Sequence, residues 1–188
     1  APTRDDIIAG IKVAKERHLP WLLLGAGSNV LIADRGFDGV VIHPTNGEVR
    51  SNGSKVEADA SVAMARVVVE TVKRGLRGFE WAIGVPGTVG GSVYGNAGCF
   101  GGEMKNVVTA VAVYNAETGA IETLPGSDAG FGYRTSVFKS RPELVILGAT
   151  LALTSGDAAD AQALVRHYTA TRFDGQDIGT LSVGCAFK

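Results

Sequence analysis

Three amphipathic helical segments interleaved with closely spaced, hairpin-linked strands predict an α+β fold for this chain of 188 residues. The strands come in runs, without the helix between each pair that a regular βαβ alternation requires. Two turn signals, Asn52-Gly53 and the stretch from Asn115 to Gly119, join strands directly. Hydrophobic residues make up 45% and charged residues 20%, which is enough apolar material for a packed core and too little charge for a disordered spacer.

The first helix is expected over residues 3–18. Thr3 followed by Asp6 is a short-chain version of the capping box, and Ile7, Ile8, Ile11 and Ala14 fall on one face. Leu19-Pro20 ends it, and Trp21 to Leu24 reads as a buried strand bounded by glycine. Further buried stretches are expected at Val30 to Ala33 and Val40 to Ile42, and a hairpin joins residues 48–50 to 55–57. A second helix over about Ser61 to Arg74 presents Val62, Ala65, Val68, Val69 and Val72 and stops at Gly75. Strands at Val107 to Tyr114, Ala120 to Leu124 and Leu144 to Leu153 follow, and a third helix runs from about Asp157 to Arg172.

Composition and charge exclude several classes of partner. A net charge of −1 supplies no basic field for nucleic acid, and no apolar run approaches the roughly 18 residues of a membrane span. The first residues lack the charged-then-apolar layout of a signal peptide, so the expected location is cytoplasmic, with no membrane and no protein partner in view. Cys99 and Cys185 stand apart, with no CxxC and no neighbouring His pair, so no metal site is expected. His18, His43 and His167 have no acid or nucleophile beside them in the sequence and are read as structural.

Glycine is the outlier, at 26 of 188 residues, about twice the usual share. Gly25-Ala26-Gly27-Ser28-Asn29 directly follows a buried strand. Two glycines permit a tight turn with successive amides exposed, and Ser28 and Asn29 add side-chain donors, which suits a phosphate or diphosphate. A plain strand-to-strand turn satisfies the same residues. The loop is neither a Walker loop, having no Gly-Lys-Ser/Thr, nor a full Rossmann fingerprint, since Val30 stands where the third glycine belongs.

Residues 75–103 hold ten glycines, including the runs Gly84 to Gly91 and Tyr94 to Gly101. Backbone so poor in side chains costs conformational entropy, and a long functional loop lying against a ligand offsets that cost. Glycines placed only at successive turns are the alternative. Arg134, between Phe131 and Phe138, can stabilise an oxyanion or clamp a phosphate; a surface arginine lying over aromatic neighbours is the alternative there.

Taken together, five segments resemble the UDP-N-acetylenolpyruvoylglucosamine reductase family: Gly25 to Leu31, Gly78 to Gly91, Asn96 to Glu103, Tyr133 to Lys139 and Ser182 to Lys188. They occur in the family's order and run nearly end to end. The resemblance implies an FAD-binding domain of the vanillyl-alcohol-oxidase/PCMH type. Residues 1–50 would complete a first FAD-binding subdomain, residues 51–155 would form a second, and residues 156–188 would carry a connecting helix and the start of a substrate-binding domain.

It further implies that Gly25, Ala26, Gly27, Ser28 and Asn29 hold the flavin diphosphate. Pro86, Gly87, Thr88, Gly90, Gly91, Asn96, Ala97 and Gly98 would line the isoalloxazine and its approach. NADPH would reduce the FAD, and hydride would pass to the enolpyruvyl group of a UDP-sugar in cell-wall synthesis, a step tied to cell shape and division. Arg134 would stabilise the enolate-like charge, Cys185 would protonate C2, and Tyr133 and Lys188 would contact substrate.

The family's usual proton donor at position 185 is serine. Cysteine is chemically permissive, because an ordinary thiol is mostly protonated at neutral pH and is a stronger acid than a hydroxyl. The family's Thr-x-x-x-Gly-Gly signature and its catalytic glutamate are not in this sequence, so a fragment with weak or absent turnover is expected. Two other readings fit part of the pattern: an oxidase of the same flavin fold, and a nucleotide-binding module without redox chemistry.

Overall fold

A computed structural model of the chain describes residues 1–176. Helix α1 (Arg4–Glu16) opens it with the capping box complete. The Thr3 hydroxyl accepts from the Asp6 amide while the Asp6 carboxylate accepts from both the Thr3 amide and hydroxyl. Ile7, Ile8, Ile11 and Ala14 are the buried face, as their spacing requires. Strands β1 (Trp21–Leu23) and β2 (Val40–Ile42) then pair in parallel.

The main sheet has five strands: β3 (Val49–Asn52), β4 (Lys55–Asp59), β8 (Val108–Asn115), β9 (Ile121–Pro125) and β10 (Leu144–Ala152), in the spatial order β3-β4-β10-β8-β9. Every pairing is antiparallel. Between β4 and β8 lie α2 (Met64–Lys73), β5 (Leu76–Arg77), a 3-10 turn over Glu80–Gly84, α3 (Val89–Tyr94), and the small hairpin β6 (Gly98–Cys99) and β7 (Gly102–Glu103). After β10 come β11 (Thr154–Ser155), which pairs with β5, and α4 (Ala158–Gly175). The α+β class and each of the three expected helices are borne out.

Strand β10 reads Leu-Val-Ile-Leu-Gly-Ala-Thr-Leu-Ala because both its faces are covered. Val145 and Leu147 pack with Ile7, Ile8 and Ile11 of α1 and with Ile42 and Tyr114. Leu144, Ile146, Ala149 and Leu151 join the larger core with α2, Phe79, Trp81 and Phe138. A register shift between Ile146 and Gly148 accommodates the change of face.

Four expectations are corrected. Val30 to Ala33 forms no strand among the described residues: Leu31 is 97% exposed, and the segment pairs with neither outer edge of the two-stranded β1-β2 ribbon. The hairpin turns on Gly53-Ser54, one residue later than Asn52-Gly53, because Asn52 still pairs with Lys55 and Gly53 takes φ +57°.

Helix α2 starts at Met64 and buries Met64, Val67, Val68, Thr71 and Val72, leaving Ala65 and Val69 outward. Thr71 can be inside because its hydroxyl donates to the carbonyls of Val67 and Val68 at 2.9 and 3.0 Å. Finally, residues 75–103 are not one long loop. They are short helical turns and a hairpin, whose glycines allow close packing: a Cβ on Gly90 would lie 2.9 Å from that of Ala60.

Candidate functional site

The parallel pair β1-β2 sets the first half of the site. Both strands end at the same edge, and the loops that follow them, Gly25 to Asn29 and His43 to Thr45, emerge side by side. This is where open parallel sheets receive ligands, at the carboxyl ends of their strands. The His43 ring Nδ1 donates to the Leu24 carbonyl at 2.8 Å and pins the two loops together, which is the structural role expected of that histidine.

A cavity of about 550 Å³ opens beside them, lined by Gly25, Ala26, Gly27, His43, Pro44, Thr45, Ser61, Ala63, Gly87 and Thr88, with Leu24. Its walls are nearly all backbone and short side chains. Gly27 has φ +71°, and a Cβ there would meet no protein atom within 4 Å, so the backbone of the loop faces open space. At Gly25 a Cβ would lie 2.8 Å from the Thr88 hydroxyl, and at Gly87 (φ +103°) 2.8 Å from that of Ser28, which locks the two glycine segments against each other. The amides of Gly25 to Asn29 donate to no carbonyl or side chain among the described residues. Volume, free amides and the open position at Gly27 fit an extended diphosphate-bearing cofactor, with Gly25 to Asn29, Gly87 and Thr88 as the holding residues.

Helix α3 connects this cavity to Arg134. Thr88 caps its N-terminus by accepting from the Gly91 amide at 3.4 Å, and Gly91 itself is exposed, as is Pro86. At the other end Asn96 is 2% exposed and adopts φ +43°. Its side-chain amide donates to Glu103 at 2.7 Å and to the Gly132 carbonyl at 2.9 Å, while its oxygen accepts from the Lys105 amide at 2.9 Å. Asn96 is thus turned inward, and its side chain ties together Glu103, the Gly132 carbonyl and the Lys105 amide. Ala97 is tied on both sides, to the Ser92 carbonyl and the Met104 amide.

Gly132 and Thr135 exchange two backbone hydrogen bonds of 3.1 and 3.2 Å, which puts Tyr133 and Arg134 at the tip of a tight turn. Arg134 is exposed with φ +54°, a position where glycine or asparagine is usual. Its guanidinium donates to the Gly98 carbonyl at 3.5 Å and lies 5.7 Å from the centre of the Tyr133 ring. Nearby Glu103 has its carboxyl held below the ordinary range, first by the hydrogen bond from Lys105; desolvation opposes this, and Asn96 and the charges of Lys105 and Arg134 reinforce it.

The structure therefore joins Gly25, Ala26, Gly27, Gly87 and Thr88 at one cavity, with Ser28 against Gly87, and sets Gly98 against Arg134. Asn29 is exposed beside the cavity loop, and Gly90 faces Ala60. Cys185 and Lys188 lie outside the described residues. Pro44, Thr45, Ser61 and Ala63 went unseen in the sequence; the signal that could have found them is the pair of short apolar strands, whose parallel pairing puts both following loops at one edge. No group of three or more His, Cys, Asp or Glu among the described residues could hold a metal ion, and no helix there is long and apolar enough to cross a membrane.

Comparison with known proteins agrees with this geometry. The chain is 36% identical over 187 residues to a UDP-N-acetylenolpyruvoylglucosamine reductase of Clostridium botulinum, covering 99% of this chain and 61% of that protein. It is 35% identical to the protein of that name from Enterococcus faecalis, over 99% of this chain and 62% of the relative. The chain thus spans about 61% of the length of the curated relatives it matches.

Among solved structures, the reductase of that name from Thermus caldophilus superposes with a TM-score of 0.82 at 30% identity, covering all of this chain and 66% of that one. The 6-hydroxy-D-nicotine oxidase of Arthrobacter nicotinovorans superposes at 0.58 and 16% identity, over 81% of this chain and 35% of its own, which shows the shared fold. The profile of the FAD-binding domain matches residues 1–124, and with the cavity between the two glycine segments inside that span, the chain belongs to the FAD-binding domain family.

Proposed function

We propose that this chain is the FAD-binding part of a cytoplasmic reductase that draws on NADPH to convert UDP-N-acetylglucosamine enolpyruvate to UDP-N-acetylmuramate in peptidoglycan synthesis. The observation that carries this reading is the placement of a diphosphate-sized cavity and a pinned arginine at the two ends of α3. Six helical residues span roughly 9 Å, so cofactor loop and cation belong to one rigid piece. The similarity to reductases of that name along nearly the whole chain supports the same reading.

FAD bound along Gly25 to Asn29 supplies a two-electron carrier between a nicotinamide and the enolpyruvyl double bond. The chain's own residues do the remainder. Arg134 lowers the energy of the negative charge that collects on the substrate carboxylate as the double bond takes up hydride, and it does so from a fixed position, without reorganising. Cys185 donates the proton that C2 requires, and Tyr133 and Lys188 hold the substrate.

Separating the two half-reactions in the protein at the full length of its relatives tests this. Arg134→Ala should slow flavin reoxidation by the enolpyruvyl nucleotide far more than flavin reduction by NADPH; equal loss in both would count against the assignment. Cys185→Ala should slow product formation with FAD still bound, and Cys185→Ser should restore much of it. Reduced flavin that reacts quickly with oxygen and ignores the enolpyruvyl compound would point to an oxidase. A protein that holds no flavin would point to a nucleotide-binding module.

A further inference from the structure

Arg134 is held in a left-handed backbone conformation that costs a non-glycine residue of order 1 kcal/mol, so something around it must over-determine the turn. Three side chains converge on it. Asn96 donates to the Gly132 carbonyl at 2.9 Å from within the protein. The Ser136 hydroxyl donates to the Tyr94 carbonyl at 2.7 Å and fastens the chain leaving the turn to the end of α3. The Lys139 ammonium donates to the carbonyl of Arg134 itself at 2.8 Å and sits 5.7 Å from the centre of the Tyr94 ring.

Of the three, only Lys139 touches the arginine's own peptide group. Its backbone is anchored in a 3-10 turn by Phe138, which is 1% exposed, so the lysine reaches back from a fixed base. A charged donor on the Arg134 carbonyl fixes where that carbonyl points, and turning Arg134 about its N–Cα bond to a negative φ would carry the carbonyl off the ammonium and swing the guanidinium away from Gly98.

We propose that Lys139 is the positioning residue of the arginine turn, holding Arg134 in its left-handed conformation and so aiming its guanidinium over Gly98. This rests on the reading of Arg134 as the charge-stabilising group. Lys139 makes no contact with substrate in this role; it acts through Arg134.

The test uses the FAD-loaded protein at the full length of its relatives and reads two quantities. Amide hydrogen exchange at Gly132 and Thr135 should quicken about tenfold in Lys139→Met, the loss of one charge-assisted hydrogen bond, and return towards wild type in Lys139→Arg. Flavin reoxidation by the enolpyruvyl nucleotide should fall by a similar factor in kcat with KM little changed, with Lys139→Arg again restoring it, while FAD retention and reduction by NADPH stay as in wild type.

Unchanged exchange in Lys139→Met would overturn the proposal whatever the activity. Faster exchange with unaltered reoxidation would overturn the link between the turn's geometry and catalysis. Faster exchange in a protein whose flavin no enolpyruvyl compound reoxidises would support the positioning and overturn the catalytic reading on which it rests.

Discussion

Replacing Gly27 by alanine separates the loop's service to the protein from its service to a cofactor. The residue sits at φ +71°, where an L-residue pays about 1 kcal/mol, and its added methyl group would meet no protein atom within 4 Å. The folded protein therefore loses only that backbone term, a fall in Tm of roughly 2–4 °C for a chain of this size.

The steric consequence falls on whatever occupies the cavity. Overpacking by one methyl group against a closely fitted partner costs about 1–3 kcal/mol, which corresponds to a rise in the Kd for FAD of roughly 5- to 150-fold. Gly25→Ala provides the contrast. Its methyl would come within 2.8 Å of the Thr88 hydroxyl, a β-branched side chain that is stiff at χ1 and already caps α3, so stability suffers first. Differential scanning fluorimetry of the FAD-free proteins and fluorescence titration with FAD measure both quantities. An FAD affinity in Gly27→Ala within twofold of wild type would refute the assignment of this loop to the cofactor.

Other expectations follow from the same geometry. Leu151→Ala, at a fully buried position of β10, should cost about 2–5 kcal/mol in urea unfolding, since the sheet and α2 on either side limit collapse of the cavity. Thr3→Ala removes the hydroxyl half of the capping box of α1, leaving the bond from the residue-3 amide to Asp6, and should lower stability by about 1 kcal/mol, read as a Tm shift of a few degrees. Glu103 has its folded pKa depressed, so its stabilising contribution is complete above the ordinary glutamate value of about 4.3 and is lost as pH falls through the folded value. The Tm difference between wild type and Glu103→Gln should accordingly be constant near neutrality and shrink below about pH 4; a difference that grew on acidification would contradict the Lys105 and Asn96 contacts.

Much of this was legible from residue pattern alone where the pattern is local. The capping box, the apolar face of α1 and the stop at Gly75 depend on neighbours within one or two turns, and they stand where the spacing puts them. What escaped depends on distant partners. Val30 to Ala33 has strand composition, yet a strand needs an edge to pair with, and composition says nothing of edges.

Helix α2 could be read with either of two valine-rich faces, and the sheet selects the one with Met64 and Thr71 inside. The glycines at 25, 27 and 87 could be singled out as a class, but their complementary duties could not. One is free of protein contact, while two would collide with Thr88 and Ser28 across the cavity, and only the tertiary approach of the loops decides that.

Strand β10 belongs at once to the core beneath α1 and to the larger core beneath α2. Neither layer can therefore melt while the other keeps its packing, and the two should unfold in one cooperative transition, with calorimetric and van't Hoff enthalpies in agreement. A substitution at Leu147, on the α1 side, reaches the α2 side through the shared backbone. The loops that form the cavity thus draw their rigidity from the whole sheet, including layers that lie far from any ligand.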